Sequence, residues 1–83
     1  MWAFETFPAK IEYTPSGEDR PSYQVEVFGY LHTGCLNRRE VDLIVFRQNS
    51  FWVAGHDDIG DISLLPKDEF QERFKKFKLV RGK

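Results

Sequence analysis

The chain has 83 residues, 41% of them hydrophobic and 16% aromatic, with a formal net charge of -1. That length supports one domain spanning 1–83, because two cores could not each bury enough surface, and a lone cysteine, Cys35, excludes an intramolecular disulfide. No apolar run approaches the roughly 20 residues of a membrane span and no basic-then-apolar leader opens the chain, so a soluble, cytoplasmic protein without membrane contact is expected.

Residues 2–13 read as a first strand interrupted at Pro8, which cannot donate to a ladder and so implies an edge or a bend. Trp2, Phe4 and Phe7 precede the break, and Ile11 and Tyr13 follow it on a common face. Residues 14–21, TPSGEDRP, form a turn cluster without a large apolar residue. Residues 22–30 make the second strand: Tyr23, Val25 and Val27 point one way, Gln24, Glu26, Phe28 and Tyr30 the other, and Gly29 marks a bulge or a close contact. A long loop, 31–39, then leads to the most apolar stretch, 40–55.

That stretch, EVDLIVFRQNSFWVAG, predicts a β-hairpin. Its first arm is apolar on both faces beyond Asp42, which suits a central strand. Arg47 to Ser50 supply the polar turn, and Phe51 to Ala54 the second arm. Residues 56–60 are a further turn, and 61–65 add a short extended segment.

Pro66 starts a helix, with Asp68 and Glu69 at its positive end and Lys75, Lys76 and Lys78 near its negative end. Phe70, Phe74 and Phe77 share one helical face, expected to pack on the Val41, Leu43 and Val45 side of the sheet. Leu79 and Val80 would finish that core, with 81–83 fraying. Residues 1–65 carry five basic and ten acidic residues, net -5, while 66–83 carry seven and three, net +4. Either a basic helix docks on an acidic sheet, or the C-terminus is a basic tail for nucleic acid; the pI near 6.1 favours the first.

The fold expected is α+β: an antiparallel sheet of four to five strands, twisted or closed into a partial barrel, with one C-terminal helix packed on it. One helix covers one face, which leaves Phe28, Tyr30, Ile44, Phe46, Trp52 and Ala54 on the other. Such a surface is too apolar to stay in water, so either the N-terminal strand closes over it or it binds a partner.

His32 and Cys35, with His56 and Asp57 or Asp58, have the residue types of a zinc site if two loops meet, and Cys35, His56 and Asp58 those of a thiol nucleophile, base and orienter. The spacing fits no common zinc module and nothing marks an oxyanion hole, so no catalytic residue, metal or cofactor is expected.

Phe51 and Trp52 on a strand, then Leu64, Leu65, Pro66, Asp68, Glu69, Phe70, Glu72 and Phe74 opening a short helix, resemble the tails of small bacteriophage- or prophage-encoded domains. The resemblance covers about a third of the chain and implies a non-enzymatic protein that binds a host or phage protein as an inhibitor or regulator. Tyr30, His32, Arg38, Arg39, Arg47 and Trp52 are the partner-binding residues expected from the loop, the hairpin turn and the exposed aromatics. The alternative is single-stranded nucleic acid, stacked on an aromatic sheet face beside the basic tail.

Overall fold

The computed structural model describes residues 3–16, 20–36, 39–53 and 55–82, with the backbone alone at 33–36, 39–41 and 82. Its elements are β1 (Ala3–Tyr13), β2 (Ser22–Leu36), β3 (Arg39–Phe51), β4 (Asp58–Pro66), α1 (Lys67–Arg73) and β5 (Lys78–Gly82). The strands form one five-stranded sheet in the order β4-β3-β2-β1-β5, every pairing antiparallel. The α+β class is as expected. The N-terminal strand does not close over the second face, because β1 lies within the sheet and leaves β4 and β5 as its two edges.

The β2–β3 connection falls at residues 37–38, and both strands run on to it through the expected 31–39 loop. Pairing accounts for this: Leu31 stands opposite Leu43 and His32 opposite Asp42, so the segment finds ladder partners. Arg47 to Ser50 are not a turn either. They continue β3 and pair with β2 on one side, and the chain reverses after Phe51, where Gly55 adopts φ 81° and its N–H donates to the Trp52 carbonyl at 3.0 Å. β3 is thus interior, between β2 and β4, as its two-sided apolar pattern requires.

A bulge fixes which side chains meet the helix. Val27 stands opposite Phe46 and Gly29 opposite Val45, so β2 spends one residue more than β3 at Phe28. Beyond it the alternation of β2 reverses, and Tyr30 joins Val25 and Val27 on the helix side. A β-carbon at Gly29 would collide with the Glu5 carbonyl oxygen and the Phe4 ring, so glycine is required there by close approach. In β1 the matching irregularity lies between Thr6 and Ala9 and contains Pro8, next to where pairing with β5 begins.

The core is Val25, Val27, Ile44, Phe46, Phe70 and Phe74. The Phe46 ring meets Phe70 edge-on at 5.1 Å between centroids and Phe74 at 5.4 Å, and Phe77 continues the stack toward Tyr13. The phenylalanine stripe therefore faces the sheet as expected, but on the Ile44 and Phe46 side instead of the Leu43 and Val45 side. Helix α1 stops at Arg73 and carries two basic and three acidic residues, so it is not the basic element. Lys75 and Lys76 fall in the turn after it and Lys78 and Arg81 in β5, an edge strand that takes in residues 81–82 of the expected frayed end; Lys83 lies outside the described residues. Leu79 and Val80 are exposed on that edge and do not complete the core. Among the described residues no helix is long and apolar enough to cross a membrane.

The molecule is elongated, 47 × 22 × 19 Å, with a radius of gyration of 14.5 Å against roughly 12 Å for a compact chain of this length. The far end of the β2–β3 hairpin extends past α1, and there the helix-side surface turns polar. Glu5, His32 and Asp42, on three adjacent strands, link side chain to side chain.

Candidate functional sheet face

The helix covers one side of the sheet and no described element covers the other. Register places on the open side Phe4, Leu31 and Leu43 in one row across β1, β2 and β3, with Val45 and Leu64 in the next and Ile62 beyond, opposite Arg47. Phe4, Ile62 and Leu64 are 51%, 65% and 46% exposed. These residues sit on consecutive strands about 4.8 Å apart, so they form a continuous apolar surface and not scattered contacts.

Beside this surface the open side becomes charged. Arg47 Nη2 donates to Glu26 Oε1 at 2.8 Å across the strand pair, and the guanidinium carbon lies 5.6 Å from the Phe28 ring centroid. Salt bridge and ring together hold Arg47 flat along the sheet; its buried Nε has no hydrogen-bond partner among the described residues. A hollow of about 500 Å³ opens next to Phe28, lined by Thr6, Pro8, Lys10, Glu26 and Arg81 among others. Lys10 and Arg81 are cross-strand neighbours there, whereas Glu26 is engaged by Arg47.

The six residues expected to bind a partner do not converge. Of those whose side chains are described, Arg47 alone lies on the open side. Tyr30 packs at the margin of the core against Phe7, 5.3 Å between ring centroids. His32 is on the helix side, its Nδ1 2.7 Å from Asp42 Oδ1 and its Nε2 3.2 Å from Glu5 Oε1. Trp52 is 41% exposed in the β3–β4 turn, its backbone N–H donating to Asp57 Oδ1 at 3.1 Å. The Arg39 backbone opens β3 at the opposite end of that strand, and Arg38 lies outside the described residues.

Hydrogen bonding raises the His32 pKa above its ordinary 6.5, through Asp42 first and Glu5 second. Only the imidazolium can donate from both ring nitrogens to two carboxylates, so the protonated form is the one this geometry favours. The zinc and thiol arrangements are not assembled. His32 stands opposite Asp42 and Asp58 opposite Ser50, eight residues further along β3 or about 27 Å away, and His56 belongs to the Asp58 end.

The bulge by Gly29 exchanges the faces of the β2 residues beyond it, which brings Leu31 to the open side, where Leu43 and Val45 lie because the helix packs on Ile44 and Phe46 instead. Compared with family models, curated proteins and solved structures, the chain has no match.

Proposed function

We propose that the protein is a non-enzymatic interaction module that binds another protein through its open sheet face. The observation that carries this reading is the open-side row of Phe4, Leu31 and Leu43 with Val45, Leu64 and Ile62 beside it, half-buried at Leu31, Leu43 and Val45 and exposed at the rest, against a buried core of six hydrophobic residues among the described ones. Apolar surface of this continuity costs solubility, and a partner's apolar side chains would remove it from water. Arg47, Lys10 and Arg81 border the patch and would supply the polar rim that sets orientation and partner choice. A role as inhibitor or regulator of a phage or host protein is in keeping with so small a binding face.

The test compares wild type with a Leu43→Ser, Leu64→Ser variant as bait in nuclease-treated lysate of the native cell. A stoichiometric protein held by wild type and lost by the variant supports the reading. Equal retention by both, or retention of nothing, overturns it. The nucleic-acid reading has one observation in its favour, the hollow in which Phe28 lies beside Lys10 and Arg81. It predicts binding of single-stranded oligonucleotide that weakens steeply as salt rises, and loss of binding in Lys10→Ala, Arg81→Ala.

A further inference from the structure

The two edges of the sheet carry opposite charge. β4, DIGDISLLP, contains Asp58 and Asp61 and no cation; β5, KLVRG, contains Lys78 and Arg81 and no anion. Neither has a strand partner along its outer side among the described residues, and such an edge is the usual template for strand addition. Four strand spacings separate them, about 19 Å, which exceeds twice the screening length of roughly 8 Å at physiological salt. The charges of one molecule therefore cannot neutralise each other across the sheet. Like edges of two molecules repel, and unlike edges attract.

From this we propose that the protein joins to further copies of itself, head to tail, by pairing the β4 edge of one copy with the β5 edge of the next. The geometry selects one way of doing so. β1 is antiparallel to β2 and to β5, β2 to β3, and β3 to β4, so β4 and β5 run in the same direction. A simple sideways translation would make the new pair parallel. A half-turn about an axis lying in the sheet and crossing the strands makes it antiparallel, the more stable ladder, and also exchanges the two faces.

That exchange is what the side chains require. Lys78 stands opposite Glu12 and Arg81 opposite Lys10, which places both cations on the open side. Asp58 stands opposite Ser50, in line with Tyr23 and Tyr13, and Asp61 precedes Ile62, which pairs with Arg47; both acids are therefore on the helix side. After the half-turn the cations of one copy share a face with the acids of the next. The apolar residues follow the same rule. Leu79, 69% exposed and opposite Ile11 on the helix side, comes to the face that bears Ile59 and Ile62, 71% and 65% exposed on the open side. One operation matches ladder direction, charge and apolar contact together. Because the contact is heterologous, it propagates as a chain of copies whose helices alternate between faces, or closes as a ring if the sheet twist permits.

The test uses light scattering at low ionic strength and increasing concentration, with circular dichroism confirming that each protein is folded. Wild type is expected to rise above the mass of one chain, 9.8 kDa, and to fall back as salt is added. Asp58→Lys with Asp61→Lys makes both edges basic, and Lys78→Glu with Arg81→Glu makes both acidic, so each variant alone should stay monomeric. Mixing the two should restore assembly, since every acidic edge then finds a basic one. Wild type that remains monomeric, a variant that assembles alone as wild type does, or a mixture of folded variants that stays monomeric each overturns the proposal. A zero-length carbodiimide cross-link on wild type needs no variant: the dimer band should contain Asp58 or Asp61 joined to Lys78, and its absence there overturns the proposal even if the substituted chains do not fold.

Discussion

The two sides of this sheet have nearly the same apolar content and opposite fates. Under α1, Ile44 and Phe46 are 5% and 2% exposed because they share a core with Phe70 and Phe74, whose rings meet that of Phe46; across the same strand, Leu43 and Val45 are only half-buried. The difference comes from the tertiary cover and not from the strand, whose residues favour sheet equally on both sides. The comparison teaches that β3 is built to be covered twice, and that the described residues supply one of the covers.

The sharpest way to break that comparison is to remove the centre of the covered side. Phe46→Ala should cost about 3–5 kcal/mol, because it deletes the ring on which Phe70 and Phe74 both rest and leaves a cavity. Leu43→Ser, on the same strand but the open side, should cost about 1 kcal/mol or less. Urea denaturation of the two variants measures the asymmetry directly, and equal losses would mean that the open side is structural.

Gly29→Val should fall between these, at about 1–3 kcal/mol, since the added side chain meets the Glu5 carbonyl and the Phe4 ring. Its distinctive result is local: amide exchange should speed up in the first half of β1, where β2 is the only pairing partner among the described residues, more than in β3.

The smallest effect concerns the hairpin end. Because the His32 pKa is raised in the fold, the stabilisation it gives is fully present below pH 6.5 and is lost as pH rises through the folded value. NMR titration should show a midpoint above 6.5 that drops more in Asp42→Asn than in Glu5→Gln, following the order of the two hydrogen bonds.

Much of the fold was legible because it rests on local chemistry. Proline at 66 followed by two acids and the Phe70, Phe74 and Phe77 spacing identify the helix and its buried stripe, and the two-sided apolar run at 43–46 identifies an interior strand. The errors arose where distant pairing overrides local composition. Polar Arg47, Gln48, Asn49 and Ser50 resemble a turn, yet Arg47 finds Glu26 and the Asn49 Oδ1 accepts from the Gly60 N–H at 3.3 Å, so the strand carries them straight through. Basic residues at the C-terminus resemble a tail, yet β1 supplies a ladder for them. Tyr30, His32, Arg47 and Trp52 lie apart for the same reason: the aromatic or cationic character of each is visible in the sequence, whereas the face or end of the sheet it occupies is set by pairing.

The extra residue at Phe28 acts on the strand as a frameshift acts on a message. Upstream and downstream segments follow the same alternating rule, but in different phases, and the sense of each depends on that one insertion. Pairing Phe28 in a regular ladder, opposite Val45, would turn the distal half of β2 over: Tyr30 and His32 would pass to the open side and Leu31 to the helix side, parting the histidine from both carboxylates, whereas excising Phe28 would leave Gly29 opposite Val45 and every distal face as it is. The charged clamp at the hairpin end and the apolar row on the opposite side thus both depend on one residue being left out of the ladder, and a register slip that read it back in would undo the two together.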